Sequence, residues 1–163
     1  DVDEDAVHAL VSRHPAVRAV RGVDDLVHEE LDVFSPNALG GALDEVTVDV
    51  LRARIVCGGA NNQLGSEGVG GSAERLRDRG ITYAPDFLVN AGGVIQVSDE
   101  LHGFDMDRAR RRTATIFENT LEVLRSADAD GVTPAVAADR LAERRIAAGG
   151  PRPWLPTREH RDT

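Results

Sequence analysis

Lysine is missing from this chain: all 19 basic residues among its 163 are arginine. A mechanism that needs a lysine amine, as base, Schiff-base former or phosphate ligand, cannot be completed by these residues alone. A single cysteine, Cys57, excludes an internal disulfide framework and suits a reducing compartment. Basic charge is also in deficit, with a formal net charge of −9. Nucleic acid and anionic membrane surfaces are bound through basic stripes, so neither is expected as a partner. No apolar run reaches the length of a membrane-spanning helix. No charged-then-apolar leader opens the chain, and the expected location is the cytoplasm. With 41% hydrophobic residues, a chain of this length can bury the core of one globular domain.

Strand and helix signals alternate along the first two thirds of the sequence. Asp3 or Asp5 can cap a helix that places Val7, Leu10 and Val11 on one face and stops before Pro15. Residues 16–20 read as a short strand, 23–30 as one or two helical turns, and 32–36 as a compact strand stopped by Pro36. Residues 43–51 read as a helix despite their β-branched side chains, 54–57 as a strand, 73–79 as a helix and 81–83 as the last strand. Beyond residue 100 the pattern is helical over 108–126, with the exposed run Arg110-Arg111-Arg112 at its start. Thr133-Pro134 then supplies a capping hydroxyl followed by proline at the first helical position. Residues 148–163, rich in proline and charge around Trp154, read as a tail.

Short apolar strands separated by helices imply βα units and a parallel sheet. In such sheets ligands bind beyond the carboxyl ends of the strands. Three successive strand ends here carry Asn37, then Asn61 and Asn62, then Asn90, which places several amides at one edge. In the stretch from Tyr83 to Glu100, a helical reading sets Asn90, Val94 and Val97 on one face. That pattern fits either a capped core helix or the wall of a site that orients a polar group beside an oily one.

Other candidates are weaker. Gly68-x-Gly70-x-x-Ala73 imitates a dinucleotide glycine fingerprint but follows no strand, and it reads as a surface loop. Asp99, Glu100, His102 and Asp105 lack a recognised metal-ligand spacing and read as an exposed helix end, so no metal is expected. Cys57, inside an apolar strand, reads as a buried structural thiol.

Three ordered motifs carry a family resemblance. Residues 34–41 (FSPNALGG), 59–64 (GANNQL) and 84–95 (APDFLVNAGGVI) resemble the Glu/Leu/Phe/Val dehydrogenases, the leucine and valine dehydrogenase branch most of all. Residues 137–146 are similar to that family's C-terminal helix. The resemblance implies an α/β fold over residues 1–147: the C-terminal part of an NAD-binding Rossmann-type domain. Its doubly wound parallel sheet would lack its first strand and be followed by C-terminal helices. The glycine fingerprint and the catalytic lysines would lie before Asp1, in agreement with the absence of lysine. The strand order 3-2-1-4-5-6 then leaves one strand unpaired and exposes another as an edge.

The family's roles map onto particular residues. Asp1 resembles the acidic residue that accepts hydrogen bonds from the adenosine ribose and favours NAD. Asn37, Ala38 and Leu39 resemble the loop along the nicotinamide half of the cofactor, although many relatives have cysteine at the position of Asn37. Asn61 and Asn62 resemble the pair beside the nicotinamide ribose and the amino-acid substrate, and Asn90 the residue that orients the nicotinamide end. Val94 and Val97 resemble positions lining the substrate side-chain pocket. Two valines favour an aliphatic side chain, since an unpaired carboxylate among apolar groups is costly.

The implied reaction is reversible oxidative deamination of valine or leucine to the 2-oxo acid and ammonia by a homo-oligomer when full length. No catalytic residue is assigned within this chain. The alternative is a non-catalytic module that binds a nucleotide or a protein. On the dehydrogenase reading, the isolated chain is expected to show no turnover of valine or leucine with NAD, because it holds no lysine base. An absorbance assay of nicotinamide reduction checks this.

Overall fold

The computed structural model describes residues 1–66, 70–101 and 103–149. From residue 150 onward the expected tail, including Trp154, lies outside the described residues. The elements run α1 (Glu4–Arg13), α2 (Val23–Val27), β1 (Leu31–Phe34), α3 (Glu45–Val50), β2 (Ala53–Val56), α4 (Ser72–Asp78), β3 (Thr82–Tyr83), α5 (Asp86–Val89), α6 (Gly92–Glu100), α7 (Met106–Asp130) and α8 (Pro134–Ala147). No helix among the described residues is long and apolar enough to cross a membrane.

Helix starts follow local chemistry. Backbone N–H groups left unpaired in the first turn are taken up by a side-chain oxygen just before it. Asp3 accepts from Ala6 N (3.0 Å), Asp44 from Thr47 N (2.7 Å), Asp105 from Arg108 N (2.7 Å) and Thr133 Oγ1 from Val136 N (3.3 Å). Pro134 sits at the first helical position of α8, as expected from Thr133-Pro134. The hydrogen bond from Thr47 N holds the Asp44 carboxyl below its ordinary pKa.

The three strands are parallel, in the order β1-β2-β3. Register then decides burial, because successive side chains point to opposite faces. Phe34, Val56 and Tyr83 are cross-strand neighbours and form a buried row. Val33, Ile55 and Thr82 form the next row on the other face, and all three are exposed. The covered face meets α2, α3 and α4 in a core of Val27, Phe34, Leu43, Val48, Leu51, Val56, Leu76, Ile81 and Tyr83. A second core of Val123, Ala127, Ala137, Ala138 and Leu141 joins α7 to α8, and Leu88 of α5 packs against it. Four-residue α5 thus stands between the sheet and the helical pair.

Two local expectations are corrected. Residues 16–20 form no strand. In the 3-2-1-4-5-6 order this segment would pair with strand 2, and no described residues offer that partner, so a ladder has nothing to form against. The stretch bearing Asn90, Val94 and Val97 is not one continuous helix: α5 ends at Val89, and a turn at Asn90-Ala91 separates it from α6. The long helix expected over 108–126 extends over Met106–Asp130, capped at its end by Gly131 in the left-handed region (φ 66°).

Helix α1 carries no buried residue, β1 is a sheet edge, and the row of Val33, Ile55 and Thr82 is open. A sheet with one bare face and a free edge gains less from burial and invites association. The 163-residue chain on its own is therefore expected to melt over a broad range without a sharp cooperative transition. Calorimetry and dye binding to exposed apolar surface check this, and a single sharp endotherm would refute it.

Candidate functional site at the carboxyl edge of the sheet

Because the strands are parallel, the loops after β1, β2 and β3 leave the same edge of the sheet. Hydrogen bonds then tie those loops together. Asn37 Oδ1 accepts from Gly59 N at 2.8 Å, while its Nδ2 donates to Ser35 O (2.9 Å) and Ser35 Oγ (3.0 Å). Asn90 Nδ2 donates to Gly59 O at 2.7 Å and to Asn61 Oδ1 at 2.9 Å. One peptide neighbourhood, Gly59, is thus held by an asparagine from each flanking loop. The expected convergence is observed for Asn37, Asn61 and Asn90 as a bonded shelf, whereas Asn62, expected with them, joins it by no side-chain hydrogen bond among the described residues.

Close backbone approach makes the shelf rigid. A Cβ on Gly58 would overlap Pro36 O and lie 2.7 Å from Pro36 Cδ, so only glycine lets the two loops meet. Gly41 N donates to Asn62 O (2.7 Å), Leu43 N to Gln63 O (2.9 Å) and Gly65 N to Leu43 O (2.9 Å). Asn62 takes the left-handed conformation at φ 53° and remains exposed. Ala38 and Leu39, the latter 85% exposed, stand free on the outer loop.

Beneath the shelf lies a polar network that the residue pattern did not single out. Gln63 is fully buried and its Nε2 donates to Gly58 O and Ala60 O, each at 2.8 Å. Its Oε1 has no partner among the described residues. Gln63 N donates to buried Asp86 Oδ2 at 2.9 Å, and Asp86 Oδ1 accepts from Phe87 N at 2.7 Å. Asp86 N in turn donates to the Tyr83 hydroxyl at 3.3 Å. Burial, the largest cause, pushes the Tyr83 phenol up to about 12, so it stays neutral near pH 7. The only signal for this network was position: Gln63 closes the run of amides, and Asp86 follows a proline at a strand end.

Along α6, Gly93, Val94, Val97, Ser98 and Leu101 line an open apolar depression, with Val94 and Val97 73% and 62% exposed. The acidic group at the end of α6 needs a correction: Glu100 and Asp105 are exposed, but Asp99 is fully buried rather than part of an exposed helix end. Asp99 Oδ2 accepts from Asp105 N (2.7 Å) and Arg108 Nη2 (2.9 Å), and Arg108 Nε donates to Oδ1. Arg108 Nη2 also donates to Gly103 O at 2.6 Å, closing the turn from α6 to α7. His102 lies outside the described residues. No group of metal-binding side chains is found among the described residues.

The remaining candidates are peripheral. Asp1 is exposed and its Oδ1 accepts from Asp3 N at 3.0 Å, with no hydrogen bond joining it to the shelf among the described residues. Cys57 is a free thiol, half-buried rather than buried, because it follows β2 into the loop. In the glycine-rich loop, residues 67–69 lie outside the described residues, and α4 begins after Gly71 without a side-chain cap.

Comparison with known proteins places this architecture. The family described as Glutamate/Leucine/Phenylalanine/Valine dehydrogenase matches residues 3–148. A valine dehydrogenase of Streptomyces coelicolor is 54% identical over 154 residues, 94% of this chain and 42% of that protein. A valine dehydrogenase of Streptomyces albus is 55% identical over 148 residues, 90% of this chain and 40% of that protein. The crystal structure of L-tryptophan dehydrogenase from Nostoc punctiforme superposes with a TM-score of 0.85 at 36% identity, covering 91% of this chain and 44% of that one. The chain therefore spans about two fifths of the length of these relatives.

The Asp99 clamp has a consequence for acid stability. Hydrogen bonds from Arg108, the largest cause, hold the Asp99 carboxyl below its ordinary pKa. A pKa lowered on folding stabilises the protein fully above the unfolded value of about 4 and loses that contribution as pH falls through the native value. In the full-length protein, Asp99→Asn is expected to lower the melting temperature at pH 7 and to flatten its decline below about pH 4. Melting curves across pH check both.

Proposed function

Because the chain belongs to the glutamate/leucine/phenylalanine/valine dehydrogenase family, we propose that it forms the cofactor side of the active-site cleft in an NAD-linked dehydrogenase. The reaction is reversible oxidative deamination of valine or leucine to its 2-oxo acid and ammonia. The observation that carries the reading is the shelf in which Asn37 and Asn90 grip Gly59 and Asn90 also holds Asn61. An edge of neutral amides at parallel strand ends suits the polar, uncharged carboxamide and ribose of a nicotinamide nucleotide, so the residues present fit the cofactor. When bound, NAD supplies the hydride acceptor.

This chain's own residues bind and orient. Asn61 and Asn90 fix the nicotinamide ribose edge, Asn37, Ala38 and Leu39 form the outer loop along the cofactor, and Asn62 reaches toward the amino-acid substrate. Val94 and Val97 exclude water from an aliphatic side chain and offer a carboxylate no partner, which disfavours glutamate. Asp1 accepts from the adenosine ribose and selects NAD over NADP. The proton-transfer base is a lysine from a part of the enzyme other than this chain, since none is present here. The full-length enzyme is expected to be a homo-oligomer, and free Cys57 suits the cytoplasm.

The test is a steady-state assay of the complete enzyme on valine, leucine, phenylalanine and glutamate with NAD and NADP. Valine or leucine with NAD is expected to exceed glutamate by at least about a hundredfold in kcat/KM. Asn90→Ala is expected to raise KM for NAD about tenfold. Preference for glutamate, or an unchanged KM in that variant, would sink the reading.

A further inference from the structure

Gln63 is a fully buried side chain that bonds the loop bearing the shelf without belonging to the shelf. Two carbonyl oxygens, Gly58 O and Ala60 O, lie 2.8 Å from its Nε2, and that pair fixes which end of the amide is nitrogen. These carbonyls flank Gly59, whose own N–H and C=O are taken by Asn37 and Asn90. Gln63 therefore holds the Gly58–Gly59 peptide whose N–H Asn37 takes, and the Ala60–Asn61 peptide that follows the one whose carbonyl Asn90 takes. The Gln63 backbone is anchored as well: its N–H donates to the Asp86 carboxylate, and the backbone carbonyl of Asp86 accepts from Asn90 N at 2.8 Å. Loop and helix α5 are thus fixed relative to each other through Gln63.

We propose that Gln63 is a positioning residue for the nicotinamide half of the cofactor, acting through Gly59 on Asn61 and Asn90. It makes no contact with the cofactor. This inference rests on the reading of the amide shelf as the nicotinamide-ribose edge. Gln63→Met keeps the length and apolar stem of the side chain but removes both N–H donors, leaving Gly58 O and Ala60 O unpaired. In Gln63→Glu the ionised group offers no donor, whereas its protonated form restores one.

The experiment titrates NADH and ADP against the complete enzyme and both variants, with kcat on valine measured alongside. ADP carries the adenosine and pyrophosphate but neither the nicotinamide nor its ribose, so a positioning defect at the shelf leaves its binding untouched. Expected for Gln63→Met is unchanged ADP affinity, about tenfold weaker NADH binding, and a kcat reduced about 10–100-fold by misplacement of the reacting centre. For Gln63→Glu, NADH binding is expected to tighten as pH falls, a trend absent from the unaltered enzyme and from Gln63→Met. Parallel weakening of both ligands, no change in either, or a pH-independent Gln63→Glu overturns the proposal. Should Gln63→Met not fold, the pH dependence of Gln63→Glu decides alone. Failure of the unaltered enzyme to bind NADH overturns the proposal together with the cofactor reading, whereas normal binding with parallel losses in the variants overturns this proposal only.

Discussion

Gly59 is the residue at which the loops after all three strands meet. Asn37, after β1, accepts its N–H, and Asn90, after β3, donates to its carbonyl. The loop after β2 thus becomes the keystone between its neighbours. Such an arrangement demands glycine around it. A side chain on Gly58 would collide with Pro36, and one on Gly59 would lie 2.9 Å from Asn37 Oδ1. Backbone groups at strand ends have no ladder partners, and here side-chain amides satisfy them instead. The edge is consequently both polar and stiff, which is the combination a site needs if it is to orient a polar ligand without reorganising.

The remainder of the structure supports that edge from two sides. Below it, buried Gln63 and Asp86 connect the β2 loop to α5, so the floor of the shelf is hydrogen-bonded rather than merely packed. Beside it, α5 reaches the second core through Leu88, which couples the sheet to the α7–α8 pair. Helix α6 carries the exposed valines and is pinned at its far end by buried Asp99 against Arg108. A carboxylate removed from water is tolerable only when its lone pairs are met, and here three N–H groups meet them. The valine-bearing wall is therefore held at both ends, by the Asn90 turn and by the Asp99 clamp.

Much of this was legible in residue order. The alternation of short apolar strands with capped helices specified a parallel sheet, and the capping residues Asp3 and Thr133-Pro134 marked helix starts correctly. Asparagines after successive strands implied a common edge. Other features were not legible. Residues 16–20 have strand-like composition, but a strand exists only where another strand completes its hydrogen bonds. The break at Asn90-Ala91 is marked in sequence only by the adjoining Gly92-Gly93 pair, which stands inside α6 rather than in the turn.

Residue identity and order set the chemistry available to this protein: amides at strand ends, valines at 94 and 97, and no lysine anywhere. They also set the succession of elements, because helix caps, turn residues and hydrophobic period are local properties. Which polar groups became structural was settled by folding. Asp99 and Asp86 look like any other acidic residues near helix ends, yet folding buries both and gives each a specific set of donors. Gln63 looks like the third member of a solvated amide run, yet it turns inward beneath Gly59. At the shelf, burial and hydrogen-bond partnership depend on residues more than twenty positions away, and no local pattern encodes that distance.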